Sequence, residues 1–452
     1  MTVIKSSVGA NSSAQGGTHE AQGPASSARW LQSFAQAVDR METSQPLDST
    51  VQDLQSFIES RSEVRMLASS MFDEVPTRPL ESHNPGRPQT VRGYHHMLQL
   101  LNVICTQVAP AWGMGSDGLG LVGLPFYALF YSPMATPSGY AFFLRRDVNS
   151  KLKAVLDRWR DGVLKTTKSQ YVITTGKDGW LCKEALTAME RDGNFHFRTM
   201  HTFRELFECD PEGDPVHWGF KTWDDFFVRK FRNIDALRPV GHPGKPEYIV
   251  NACESIPLAI KSDIKQYDTF WLKGEPYSVA DMLNHHGLAD RFVGGTVYQA
   301  LLPGTSYHRW HSPVSGRVVD AELVEGTYFS EGHPNGFGGP DGPSGHHQVY
   351  FSHVATRALI FIEAPEPVGL MCLIALGSAD VSSCEIAQKF SRDWPSPVEK
   401  GEEIGVFHFG GSGVCLLFCR GVKLAWVQEA LPGQRRGNLA VRSTLAIACP
   451  IC

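Results

Sequence analysis

The sequence has no long apolar run and no large excess of charge of either sign. Its richest apolar stretch, 121–131, is interrupted by Gly123 and Pro125, and no run reaches the length of about 18 residues that a membrane-spanning helix needs. The sequence contains 42 lysines and arginines and 47 aspartates and glutamates, and it has no local basic patch. We therefore expect neither a transmembrane segment nor a nucleic-acid partner.

The sequence also lacks paired cysteines and an N-terminal targeting segment. Its ten cysteines are scattered, and only Cys449 and Cys452 have C-x-x-C spacing, without a second pair to complete a zinc site. The first 28 residues contain no apolar run, and Lys5 is their one basic group besides His19. We expect a soluble, cytoplasmic protein with reduced cysteines and no bound metal.

The texture of the sequence changes twice along its 452 residues, a length that suggests two or three domains of ~150 residues. Residues 1–28 are small and polar, which predicts a disordered tail. Residues 29–209 have apolar side chains at three- and four-residue spacing, which predicts a helical accessory domain. Residues 210–452 contain short β-branched and aromatic runs, which predict a mainly β domain. The expected fold class is α+β.

A segment near the C-terminus, 407–414, reads Phe-His-Phe-Gly-Gly-Ser-Gly-Val. The small residues would let another group approach the Ser412 hydroxyl closely. Taken alone, the segment is more simply a glycine turn between two strands. It is not the nucleophile elbow of a hydrolase, because Val414 stands where G-x-S-x-G requires glycine.

A second segment, 306–316, places His308 and His311 on either side of Arg309 and Trp310. Histidine can pass protons near neutral pH, and arginine can hold a carboxylate. A turn with surface histidines is the plainer alternative, and a metal site lacks an obvious third ligand.

A third segment, 220–232, contains Thr222, which could cap a helix with Asp225 three residues on. Its phenylalanines would anchor that helix, so packing explains this segment better than catalysis does. The Gly/Pro/His-rich stretch Glu331–His347 predicts a long loop, and a loop of that length is usually functional or mobile.

In their order along the chain, these segments resemble the phosphatidylserine decarboxylase family of pyruvoyl enzymes. The matching elements are T-x-x-D-F-F-x-R at 222–229, an A-D-G-like turn at 252–255, K-G-x-x-Y-S at 273–278, Y-H-R-x-H-x-P at 307–313, a strand leading to a glutamate at 377–385, and a Gly-Ser pair at 411–412. The resemblance covers roughly 220–427 and implies that 210–452 is the catalytic domain. The helical half resembles that of soluble fungal members, the tryptophan decarboxylases in particular.

The resemblance implies self-cleavage between Gly411 and Ser412. The Ser412 hydroxyl would attack the Gly411 carbonyl, and elimination and hydrolysis would leave a covalent pyruvoyl cofactor at position 412. The products would be a β-chain, 1–411, partnered by an α-chain, 412–452. The pyruvoyl ketone serves as the electron sink for which other decarboxylases use pyridoxal phosphate. Those enzymes commonly carry a His-Lys dipeptide, which this sequence lacks.

The resemblance also implies roles for three side chains. His311 would be the base that activates Ser412, and His308 would protonate the substrate carbon after carbon dioxide leaves. Glu254 would orient an imidazole, although the family has aspartate at this position and glycine where Ser255 stands here.

The substrate expected from this pattern is a small amino acid with a primary amine beside a carboxylate. A soluble aromatic amino acid decarboxylase, converting L-tryptophan to tryptamine, is favoured because no basic amphipathic helix marks a lipid-binding surface. Phosphatidylserine, giving phosphatidylethanolamine, is the alternative substrate. A second alternative is an inactive homologue that serves as an interaction protein. The loop Glu331–His347 is a candidate for closing over a small substrate.

Overall fold

The structure is a computed structural model, and it describes residues 25–41, 46–75, 89–114, 123–267, 277–330, 346–378, 380, 384–434 and 437–449. Most of the predicted tail, 1–24, and most of the predicted loop, 331–345, lie outside these residues. The first helix begins at Ala25, and the helix that follows the loop begins at His346.

The N-terminal half of the described chain is helical. Its helices are α1 (Ala25–Asp39), α2 (Ser49–Glu59), α3 (Ser62–Glu74), α4 (Tyr94–Gln107), α5 (Pro125–Met134), α6 (Pro137–Leu144), α7 (Arg146–Trp159) and α8 (Lys183–Asn194). Local sequence explains their limits: Asp48 caps α2 by accepting the Thr50 N–H at 3.1 Å, and proline opens α5 and α6. The apolar spacing of α2 buries one face, as predicted.

Five short helices accompany the rest of the chain. They are α9 (Phe203–Leu206), α10 (Trp223–Phe227), α11 (Ile234–Leu237), α12 (Val279–Met282) and α13 (His346–Val354). The predicted cap of α10 is confirmed, because the Thr222 hydroxyl accepts the Asp225 N–H at 3.1 Å. Phe226 and Phe227, at the end of this helix, are buried.

The C-terminal half is mainly β, and the fold class α+β is confirmed. Its strands are β1 (Tyr248–Val250), β2 (Ile256–Ser262), β3 (Thr296–Leu302), β4 (Arg309–His311), β5 (Gly316–Val324), β6 (Thr356–Glu363), β7 (Leu370–Ser378), β8 (Cys384–Ile386), β9 (Ser396–Val398), β10 (Glu403–Phe407), β11 (Gly411–Phe418), β12 (Lys423–Trp426) and β13 (Thr444–Cys449). The described strands form a seven-stranded sheet, β2-β3-β11-β7-β6-β5-β9, and two three-stranded sheets, β4-β10-β8 and β1-β13-β12.

Strand β11 lies inside the large sheet and is buried on both faces. Val414, Leu416 and Phe418 enter one hydrophobic core, whereas Cys415 and Leu417 enter another. Side chains alternate along a strand, so position 412 shares the face of Val414. That face belongs to the core that also holds Trp310 and Phe407 from the sheet β4-β10-β8.

The helical half and the β half share a core. Phe409, Tyr307 and Phe329 from the β half pack into the cluster formed by the helices. Asp380, which follows β7, caps α5 by accepting the N–H groups of Phe126 at 2.9 Å and Tyr127 at 2.7 Å. No helix within the described residues is long and apolar enough to cross a membrane.

The cap that Asp380 gives to α5 leads to a stability prediction. Burial raises the pKa of Asp380, and the two N–H donors oppose that rise. Burying the carboxyl group costs free energy, but each of its oxygens accepts one hydrogen bond. Asp380→Ala would remove the acceptor of two N–H groups, one buried and one partly buried, and we expect a loss of about 1–3 kcal/mol of unfolding free energy. Urea denaturation followed by tryptophan fluorescence measures it.

Asp53→Ala is the matched control, because Asp53 pairs with Lys151 on the surface, where a salt bridge contributes about 1 kcal/mol or less. Equal losses in Asp53→Ala and Asp380→Ala would show that the cap does not join the two halves.

Candidate active site

Two connections between the large sheet and the sheet β4-β10-β8 bring the predicted site segments together. Strand β3 ends at Leu302, which pairs with Ser412, and β4 begins at Arg309, which pairs with Val406. The chain therefore leaves the large sheet through 303–308 and returns to it through 408–410. The Phe407 N–H donates to the His308 carbonyl at 3.0 Å, which ties the two connections to each other.

The ring of Phe227 contacts side chains from both connections. Its centroid lies 3.9 Å from the imidazole of His308 and 5.2 Å from the ring of Phe409. Segments that lie about a hundred residues apart in the sequence thus meet on one aromatic side chain of α10.

Ser412 lies at the start of β11 and is buried. Its hydroxyl is 3.5 Å from the carbonyl oxygen of Gly410, a distance at which a hydrogen bond is weak. Gly410 has a φ of +149°, which a residue with a side chain rarely adopts. The structure therefore presents a buried serine with a loosely held hydroxyl directly after two glycines.

His308 is fully buried, and neither of its ring nitrogens has a hydrogen-bond partner in the part of the chain that the structure describes. Burial and the nearby charge of Arg229 hold its pKa well below the ordinary value. The imidazole is therefore neutral, and both of its nitrogens are available to a bound group.

Arg229 fixes the connection that precedes His308. Its guanidinium donates to the carbonyl oxygens of Thr305 at 2.5 Å and Ser306 at 3.0 Å, and it stacks 4.6 Å from the ring of Phe207. Burial lowers the pKa of Arg229 to about 9. Arg229 ends the T-x-x-D-F-F-x-R motif, but no role was predicted for it from the sequence.

His311 is held on both sides of its ring. The Gly401 carbonyl can only accept, so Nδ1 donates to it at 2.9 Å, and Nε2 is then left to accept the Tyr307 hydroxyl at 3.0 Å. Burial lowers the pKa of His311 to about 4. A base at this position therefore acts through Nε2, and Tyr307 stands between that nitrogen and any donor.

Glu254 lies in the same buried region but bonds elsewhere. Its carboxylate pairs with Arg238 and accepts the Val441 N–H at 3.0 Å. Burial and Glu403 raise the pKa of Tyr307, and Glu254 adds to that rise. Glu254 thus helps to keep the Tyr307 hydroxyl protonated, whereas Tyr307 and Gly401 are the groups that orient His311. The orienting role predicted for Glu254 stays a prediction.

His408 is a further residue for which no role was predicted from the sequence. Its Nδ1 lies 2.7 Å from a carboxylate oxygen of Asp224, and its Nε2 lies 3.1 Å from one of Glu385. A signal was present, since a histidine between two buried phenylalanines needs polar partners. Both carboxylates belong to segments that were already singled out.

An open cleft of about 420 Å³ reaches His311 from the surface. Tyr307 and His311 form part of its inner wall, and the charged side chains around it are Glu208, Lys230, Arg232, Asp235, Glu403 and Arg442. The cleft gives Tyr307 and His311 access to water. No group of three or more metal-ligating side chains occurs within the described residues.

Two family models match the chain, and both describe phosphatidylserine decarboxylase. One covers residues 48–189 and the other covers residues 223–436. The second match includes Ser412, both histidines of the 306–316 segment and Glu254.

Curated relatives show the same similarity over longer stretches. The chain is 41% identical to decarboxylase iboD of Amanita muscaria, over 66% of this chain and 84% of that protein. It is 32% identical to the L-tryptophan decarboxylase of Psilocybe cubensis, over 81% of this chain and 79% of that protein. A phosphatidylserine decarboxylase proenzyme of Schizosaccharomyces pombe is 31% identical over 51% of this chain and 22% of its own length. With the buried serine and histidines in place, these matches make the chain a decarboxylase, a carboxy-lyase that belongs to the phosphatidylserine decarboxylase family.

Proposed function

We propose that this enzyme cleaves itself at Gly411–Ser412, carries a pyruvoyl group made from Ser412, and releases carbon dioxide from an aromatic amino acid, with L-tryptophan as the first candidate. One observation carries the proposal: a buried serine after two glycines lies at the start of a central strand. The connection beside it holds a histidine that is buried, neutral and without a hydrogen-bond partner among the described residues. The enzyme family and the names of the fungal relatives support the same conclusion.

The cleavage follows from the chemistry of a serine next to an amide. The Ser412 Oγ bonds to the Gly411 carbonyl carbon, and the C–N bond breaks as nitrogen takes up the hydroxyl proton, which leaves an ester. Loss of the Cα proton of residue 412 and rupture of its Cβ–O bond then release 1–411 with a carboxylate and leave dehydroalanine. Addition of water expels ammonia and leaves the pyruvoyl group at the start of 412–452.

His311 is the candidate base for this cleavage. Its Nε2 accepts the Tyr307 hydroxyl, so the serine proton either passes through that hydroxyl or displaces it. Because the ring is neutral and its Nδ1 is fixed on Gly401, the free electron pair of Nε2 points in one direction. Tyr307 is therefore a positioning residue for His311.

The surroundings of position 412 fit a pyruvoyl group. The strand pairs with Leu302 and Gly377 on its two sides, and Gly377 adds no side chain to the space. When present, this group supplies a carbonyl conjugated to an amide, which takes up the electron pair left by departing carbon dioxide. Neutral His308 can accept a proton from the substrate ammonium and return it to the substrate carbon.

The side chains around His308 favour an aromatic substrate over a lipid. Phe227 stacks on the imidazole and also contacts Phe409, whose ring meets those of Trp159 and Trp223. An aromatic side chain gains from such edge-to-face contacts, whereas a lipid head group has no ring to offer them. Phosphatidylserine stays the alternative substrate because the family models carry its name.

The first prediction concerns the serine itself. Ser412→Ala removes the nucleophile, so the variant should remain one chain of 452 residues and release no carbon dioxide from any substrate. Denaturing gel electrophoresis and an assay of released carbon dioxide measure both effects. Cys415→Ala, on the same buried strand, is the matched control and should be cleaved and active. A cleaved Ser412→Ala chain would contradict the assignment of the nucleophile.

The second prediction separates the two histidines. His311→Ala should block cleavage, whereas His308→Gln should be cleaved but should lose about 10²–10⁴-fold in kcat, the usual contribution of a proton-transfer group. His353→Gln is the matched control and should be cleaved and active, because His353 is also buried and its pKa, like that of His311, is lowered to about 4. Full activity of His308→Gln per cleaved chain would remove His308 from the reaction.

The third prediction concerns the substrate. The cleaved enzyme should release carbon dioxide from L-tryptophan with a kcat/KM at least about 10²-fold above that for phosphatidylserine vesicles, because the lipid leaves the aromatic surroundings unused. L-phenylalanine and L-serine complete the comparison. Preference for the lipid would support the alternative substrate. A cleaved chain without activity on any of the four would favour the inactive homologue.

A further inference from the structure

We propose that Asp224, His408 and Glu385 form a clamp that positions the Gly410–Gly411 segment for self-cleavage. We call these three residues the His408 clamp. The proposal rests on the self-cleavage put forward above and adds a positioning role for residues that do not touch the reacting atoms.

The His408 clamp is a charged, bonded cluster in a largely buried place. The imidazole and Asp224 are buried, whereas the Glu385 side chain is 62% exposed. Ionised carboxylates only accept hydrogen bonds, so both bonds, at 2.7 Å and 3.1 Å, form together when the ring carries two protons. Charge-assisted bonds of this kind are strong and directional.

The two carboxylates come from elements that are fixed independently. Asp224 lies in α10, whose start is capped by Thr222. Glu385 lies in β8, which pairs with β10, so Glu385 is directly opposite Val406. The ring of His408 is therefore held between a helix and a strand, immediately after β10 ends at Phe407.

The next residue is anchored on a different set of groups. Phe409 is buried against the rings of Trp159, Trp223 and Phe227 at centroid distances of 5.7, 5.4 and 5.2 Å. His408 and Phe409 together fix the point from which Gly410 and Gly411 start. Ser412, on the far side, is fixed by the ladders to β3 and β7.

The acyl shift needs such fixed ends. Ser412 Oγ must come within about 3–3.5 Å of the Gly411 carbonyl carbon along a defined direction, and glycine has more backbone freedom than any other residue. Gly411 pairs with Ser378 of β7, so the backbone freedom that remains before the reacting carbonyl is that of Gly410. Anchors on both sides restrict the segment, and a displacement of about 1 Å in a reacting group can cost ~10²-fold in rate.

A purely structural role makes a different prediction, so cleavage rate and stability must be measured separately. The full chain is made by cell-free translation with a labelled pulse, and conversion to 1–411 is followed by denaturing gel. We expect His408→Ala to slow conversion by about 10²-fold. His408→Asn should recover part of the rate, because its amide nitrogen lies near the place of Nδ1 and can still donate to Asp224. Glu385→Gln tests the bond to His408 Nε2 at an exposed position, where folding is not at risk. It should slow conversion less than His408→Ala does.

His286→Ala is the matched control. His286 also bonds a carboxylate, that of Asp320, at 3.1 Å, and its ring stacks on Phe361, but it lies away from the connection. It should convert at the wild-type rate. Thermal unfolding of each variant reports stability.

The outcomes separate this proposal from the proposed function. A wild-type chain that never converts would overturn self-cleavage, and with it the clamp. Wild-type conversion together with an unchanged rate in His408→Ala would overturn the clamp alone. The clamp is supported if His408→Ala converts slowly while its unfolding midpoint falls no further than that of His286→Ala. His408→Asn should then restore part of the conversion rate. Slowing that follows the loss of stability across all variants contradicts it.

Discussion

The burial of Ser412 at the beginning of the central strand β11 is the constraint on which the rest of the structure depends. Strand β11 pairs on both sides and packs against a core on each face, so its first residues cannot shift without breaking ladders or exposing apolar side chains. The backbone of Ser412 is thereby held in one place. Flexibility is left to Gly410, directly before the strand, because Gly411 already pairs with Ser378 of β7.

The remaining features arrange protons and charges around that fixed point. Burial keeps His308 and His311 neutral, and each imidazole is held differently: one by stacking on Phe227, the other by bonds to Gly401 and Tyr307. A neutral imidazole next to a substrate that brings its own ammonium proton can serve as acceptor first and as donor later. The helical half is part of this arrangement. The ring of Trp159 covers Phe409, and Asp380, which follows β7 of the large sheet, caps α5.

Local sequence patterns predicted what depends on local chemistry. The α+β class and the cap on α10 are confirmed, and the serine and histidine segments were found from residue type and resemblance. Tyr307, Arg229 and His408 were given no role, because their contacts join distant parts of the chain. His408 and Asp224 lie 184 positions apart, and no periodicity reports such a pairing. The carboxylate of Glu254 was predicted from the sequence but its partner Arg238 was not, since burial of an arginine at position 238 becomes visible only in the folded chain.

The most direct test of this account is the intact mass of the purified wild-type protein under denaturing conditions. The account predicts two chains, 1–411 and 412–452, with the smaller one lighter by one ammonia than a chain that begins with an ordinary serine. A single chain of 452 residues with an unmodified Ser412 would contradict self-cleavage and, with it, the roles assigned to the residues around that serine.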